Sequence, residues 1–198
     1  MMQPHNNFLS TRDLWQRWYH AASTPEVTAS LLDLYNQLAD RIKQQNAACL
    51  ASGKCCKFET YGHRLYVTGF EIAFVLHQLI HHPMSPESAD DNCEQPAKSN
   101  NHSLNVLNGA AQSLASDNTP IDGCVYQIDG LCSIHPIRPL GCRIYFCDQQ
   151  LQDWQNDLYE EFLKKLQEVH MQYEIPYRYV EWRTSLAEAS EYIQSESA

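Results

Sequence analysis

The chain of 198 residues carries 24 acidic against 14 basic side chains, a formal charge of −10, and 43% of its residues are apolar. That length suits one domain with a proper core, and the negative charge repels phosphate backbones and anionic lipid, which argues against DNA and a membrane as partners. No apolar run approaches the ~20 residues needed to cross a bilayer, and the opening MMQPHNNFLS lacks the basic and apolar regions of a secretory signal, so a cytoplasmic setting is expected.

Ser10, with Asp13 three residues on, forms the pattern of a capping box ahead of an aromatic helical face of Leu14, Trp15, Trp18 and Tyr19. Thr24-Pro25-Glu26 then supplies an N-cap, a proline at the first helical position and an early acid. Val27, Leu31, Leu34, Tyr35, Leu38 and Ile42 continue as a stripe of 3.6-residue period, which predicts a second helix to about Ala48. Residues 49–56, CLASGKCC, follow as a glycine-containing turn. His63 to Thr68 reads as extended, and Thr68 with Glu71 makes another capping box for a helix carrying Ile72, Val75, Leu76, Leu79 and Ile80 before Pro83.

Residues 83–120 are rich in Ser, Asn, Asp and Pro and read as a mobile polar insertion with an incidental Cys93. In CVYQIDGLCSIH, residues 124–135, Asp129-Gly130 lies between β-favouring runs and predicts a hairpin with Ile128 opposite Leu131. That register puts Cys124 on one face with His135 and Cys132 on the other, so both sulfurs reach one site only if the hairpin twists, bulges or ends early. Pro136, Pro139 and Gly141 shape PIRPLGC, a long helix is expected over roughly 149–172, and a last one over about 181–194 after Pro176. The fold class that results is mainly α: a compact helical domain spanning 1–198, with one short β-hairpin and cysteine-rich loops forming a metal site.

In a reducing compartment a cysteine-rich pattern points to metal or thiol chemistry ahead of disulfides. The candidate ligands are Cys49, Cys55, Cys56, Cys124, Cys132, Cys142 and Cys147, the intervals within the two groups being five, zero, seven, nine and four residues. Zinc knuckles require paired Cys-x-x-Cys turns, whereas iron-sulfur clusters accept irregular spacing provided that loops deliver the sulfurs. An iron-sulfur cluster, [4Fe-4S] in the first instance, is therefore favoured over zinc, with buried free thiols or disulfides as the alternative. Consecutive side chains diverge, so Cys55 and Cys56 are not expected to grip one ion equally. Lys54, Lys57, Arg138 and Arg143 flank the cysteines and would offset thiolate charge. Arg138 is read chiefly as bonding nearby carbonyls and holding the loop, and His135, three residues after Cys132, as a lesser candidate for a ligand or a donor to one.

CLASGKCC resembles the Cys-x-x-Cys-Gly-x-Cys-Cys signature of the YkgJ-type cysteine-cluster proteins, described as zinc- or iron-chelating, with Ser52 standing where that signature has its second cysteine. The later block of Cys124, Cys132, Arg138-Pro139, Cys142-Arg143 and Cys147 resembles the same family, over roughly residues 46–148. The resemblance implies metal binding, and a distant similarity to flagellin lysine methylase implies an iron-sulfur cluster. Three functions compete: a redox or modifying iron-sulfur protein acting on a protein or RNA substrate, a structural zinc module for protein interaction, and a metal-handling protein.

Overall fold

A computed structural model describes residues 9–45, 47, 53–81, 123–145 and 151–196. Cys49, Cys93, Cys147 and the expected insertion at 83–120 lie outside the described residues. The chain is mainly helical. Among the described residues its helices are α1 (Thr11–Ser23), α2 (Pro25–Gln44), α3 (Phe58–Tyr61), α4 (Gly69–His81), α5 (Leu140–Ile144), α6 (Gln152–Gln172) and α7 (Trp182–Glu196). Short 3-10 turns cover Lys54–Cys56 and His135–Ile137. Among the described residues no helix is long and apolar enough to cross a membrane.

α4 forms the axis of the molecule. Phe70, Ile72, Ala73, Phe74, Val75 and Leu76 are all buried, so the helix is enclosed on nearly every side instead of showing one apolar stripe. α1 lies along it, and a Cβ added at Gly69 would collide with the Trp18 indole, which shows how closely the two helices approach. Trp18 is held in turn by donating Nε1–H to the Pro176 carbonyl at 2.7 Å. α1 begins with the expected capping box: Asp13 N–H donates to Ser10 Oγ at 3.1 Å, and Ser10 N–H to Asp13 Oδ2 at 3.2 Å. α2 buries Val27, Leu31, Leu34, Tyr35 and Leu38 as the periodicity requires, and packs on α6. Thr24 stands at its N-cap, yet the hydroxyl bonds back to the His20 carbonyl at 2.9 Å, leaving Pro25 to start the helix without a side-chain cap.

Among the described residues two antiparallel ribbons are present where one hairpin was expected. β2 (Gln127–Ile128) and β3 (Leu131–Cys132) form the hairpin, in the register Ile128 opposite Leu131, with positive φ at Asp129 and Gly130. β1 (Tyr66–Thr68) pairs with β4 (Tyr179–Glu181), aligning Tyr66 with Glu181 and Thr68 with Tyr179. The extended piece before α4 was legible in the sequence, but its partner lies over a hundred residues downstream, a pairing that no local pattern encodes.

One buried carboxylate ties these parts together. Glu71, 1% exposed, accepts Thr68 N–H at 2.9 Å and Thr68 Oγ1–H at 3.1 Å on Oε2. Its Oε1 accepts the Tyr35 hydroxyl of α2 at 2.9 Å and the Leu140 N–H that opens α5 at 2.8 Å. Removing it strands several buried donors at once, each costing about 1–3 kcal/mol. Glu71→Ala is therefore expected to lower unfolding stability by about 3–5 kcal/mol in urea titration, with Glu71→Gln losing less because an amide oxygen still accepts.

Candidate functional site

Five of the candidate cysteines are described, and three structural units carry them: the turn Lys54–Cys56, the β2–β3 hairpin and α5. All five are free thiols. The turn docks on the hairpin through backbone. Cys124 N–H donates to the Cys56 carbonyl at 2.7 Å, and Gln127 Nε2 donates to the Gly53 carbonyl at 3.0 Å. Both contacts depend on glycine. Gly53 has φ +67° and Gly123 φ +121°, and a Cβ at Gly123 would strike the Cys56 carbonyl oxygen.

The hairpin ladder ends after two residue pairs, and the chain before it curls through a turn closed by Gln127 N–H to the Cys124 carbonyl at 3.0 Å. The early end is one of the conditions under which Cys124 and Cys132 can face the same centre, and both sulfurs lie in hydrogen-bonding contact with the Cys56 thiol. Cys55 and Cys56, expected to diverge, have sulfurs 3.9 Å apart because the 3-10 turn curls them together. Their surroundings still differ: Cys56 is buried towards the hairpin, whereas Cys55 lines a cleft. Cys142 arrives on α5, whose first turn is fixed by Leu140 to Glu71.

The crowding shows in the proton affinities. Hydrogen bonds to Cys124, Cys132 and Cys55, with burial, push the Cys56 thiol far up, so it keeps its proton. The Cys56 hydrogen bond holds Cys55 down at about 7, helped by the Arg138 guanidinium. Cys124 is likewise lowered by the Cys56 hydrogen bond and, among smaller causes, by the Trp182 indole, which donates Nε1–H to Cys124 Sγ at 3.4 Å. Cys142 is raised by burial and by the negative charge of Cys124, Cys132 and Cys55. Several sulfurs thus compete to ionise in one small volume.

Arg138 and Tyr126, which stand near these sulfurs, each have a buried polar atom without a hydrogen-bond partner among the described residues, Nε and the hydroxyl, as does His135 at Nε2, beside Arg138 and Arg143. His135 is lowered to about 3 by burial and by the charges of Arg138 and Arg143, so it sits there as a neutral imidazole. The role expected of Arg138 falls to Arg143, which donates Nε–H to the Arg138 carbonyl at 2.7 Å, bonds the Pro136 carbonyl, and stacks 4.0 Å from the Tyr35 ring centroid. Arg138 instead turns its charge towards Cys55 and Cys142.

Among the described residues no group of three or more His, Cys, Asp or Glu is arranged to hold a metal ion; the sulfurs touch one another instead. The His77 and His81 rings lie tilted with centroids 4.4 Å apart on α4, beside Tyr19, and belong to no such group. Trp182 is buried in the core and is also the donor to Cys124, a role that only its place at the start of α7 reveals.

Against family models, curated proteins and solved structures, the chain finds no match.

A depressed thiol stabilises the fold at pH values above its unfolded pKa, and that contribution is lost as the pH falls through the folded value. Metal-free protein should therefore gain stability between about pH 7 and the ordinary thiol value of 9.0 through Cys55, a gain that Cys55→Ser removes. Iodoacetamide alkylation followed by peptide mapping should show Cys55 reacting first, with a midpoint near pH 7.

Proposed function

We propose that the chain is a metal-binding protein of the YkgJ-type cysteine-cluster kind, which holds an iron-sulfur cluster of the [4Fe-4S] type. Its thiolates are drawn from Cys55, Cys56, Cys124, Cys132 and Cys142, with Cys49 and Cys147 as further candidates outside the described residues. The observation that carries this reading is the contact of the Cys56 thiol with the sulfurs of Cys55, Cys124 and Cys132, residues from two distant stretches of chain.

Thiols crowded in this way repel one another as they ionise, and a bound cationic centre relieves that repulsion for all of them together. The environment fits such a group. Arg138 supplies positive charge, and the Trp182 N–H to Cys124 is the kind of contact to sulfur that tunes a cluster potential. Neutral His135, with an unpartnered Nε2, is suited to donate to a cluster sulfur or to join the ligands. When bound, the cluster supplies electron transfer, or the redox step in modifying a protein or RNA substrate, within the cytoplasm. The residues of this chain hold it, screen it from solvent and set its electrostatics.

Protein purified without oxygen should be brown, contain iron and acid-labile sulfide, and bleach on reduction with dithionite. A colourless protein with stoichiometric zinc would replace this reading with a structural zinc module, and one with neither metal would overturn both. Cys142→Ser should lose most of the iron and Cys93→Ser none, by elemental analysis. Trp182→Phe should retain iron but show a lower reduction potential in spectroelectrochemical titration, because the lost N–H donor had stabilised the electron-rich sulfur.

A further inference from the structure

One face of the cysteine cluster opens into a cleft of about 460 Å³, within the range of small-molecule sites. Cys55 and Cys142 line it together with four tyrosines, Tyr66, Tyr145, Tyr159 and Tyr179. Tyr66 and Tyr179, diagonal to each other across the β1–β4 ribbon, are 46% and 37% exposed and lie nearly parallel, 16° apart with centroids 6.3 Å from each other. Tyr177 extends the row, stacked on Tyr179 at 17° and 43% exposed. Three large rings held parallel and open to solvent are costly to leave uncovered, and they offer flat faces to another ring.

The charge of the lining selects further. In a chain of net charge −10, no Asp or Glu among the described residues lines the cleft. The exposed guanidinium of Arg64 does line it, and Arg64 makes no ion pair among the described residues. His63 completes that side, its Nε2 against the Cys55 carbonyl at 3.3 Å and its buried Nδ1 without a partner among the described residues. A cationic ligand would meet Arg64 and find no carboxylate among the described lining residues. A purely aliphatic anion would leave the tyrosine faces bare.

We propose that this cleft binds a small planar aromatic anion, its ring against the tyrosines and its carboxylate or phosphate on Arg64, placed against Cys55 and Cys142. The inference names the ligand class of the cysteine site and so rests on the proposed function for its chemistry, though not for the binding itself. Gly141 helps to shape the cleft: a Cβ there would come within 2.8 Å of the Leu65 side chain, and both residues line it.

The test is calorimetric titration of the full chain, prepared anaerobically, with three probes: 2-naphthoate, 2-naphthylmethylammonium and cyclohexanecarboxylate. Naphthoate should bind, and the other two should bind at least about tenfold more weakly, the scale of one charge-assisted contact or one stacked ring. Arg64→Gln should weaken naphthoate about tenfold and abolish its advantage over the ammonium, with circular dichroism and iron content unchanged. Tyr179→Leu should reduce the advantage over cyclohexanecarboxylate.

Failure of naphthoate to bind at millimolar concentration, an ammonium that binds as tightly, or an Arg64→Gln variant that binds like the parent would each overturn the proposal. Binding of naphthoate to iron-free, colourless protein would keep the cleft and dismiss the cluster. A brown, iron-containing protein that ignores naphthoate would do the reverse.

Discussion

The carboxylate of Glu71 sets the geometry on which the cysteine site depends. It closes the capping box that starts α4, takes the Tyr35 hydroxyl from α2, and receives the N–H with which α5 begins. α5 carries Cys142 two residues further on, so the position of that sulfur is tied to the central helix by a hydrogen bond to a buried charge. The phenol of Tyr35 is pushed well up by burial and by the Glu71 charge, which keeps it a donor, and Arg143 lies over the same ring. A buried carboxylate with four donors is stable only where all four converge, so the network fixes the relative placement of three helices more sharply than apolar packing does.

The site built on this frame consists of soft, polarisable groups in a small volume. The 3-10 turn of residues 54–56 and the truncated hairpin present sulfurs to one another, and two glycines allow the backbones to touch. In such a cluster protonation is collective: Cys56 retains its proton because its neighbours draw on it, and Cys142 is opposed by the charge of three others. Arg138 opposes that charge from outside, while Arg143, five residues on, spends its donors on backbone carbonyls and keeps the loop in shape. Two arginines that look alike in the sequence therefore do different work, and the difference lies in which one the α5 backbone turns inward.

Much of the frame was legible in the chain. The capping boxes at Ser10–Asp13 and Thr68–Glu71 and the stripe of α2 follow from short-range chemistry, and all are found. The Asp129-Gly130 turn fixed the hairpin register correctly, and that register located the difficulty that the early end of the ladder removes. What escaped was long-range. Glu71 was visible as a cap, but its bonds to Tyr35 and Leu140 span 36 and 69 residues. The pairing of β1 with β4, the tyrosine row it creates, and the indole bonded to Cys124 likewise join segments whose local patterns say nothing of each other.

The bond from Trp182 to Cys124 spans 58 residues, and Tyr179, on the same late segment, completes the aromatic row beside Tyr66. During synthesis from the N-terminus, the turn, the hairpin and α5 all emerge before this segment exists. A nascent chain halted ahead of residue 179 would present its sulfurs without their indole donor and without one wall of the adjoining cleft. The cysteine site is thereby incomplete until translation has passed α6, a consequence written into the order of the elements and not into any single contact.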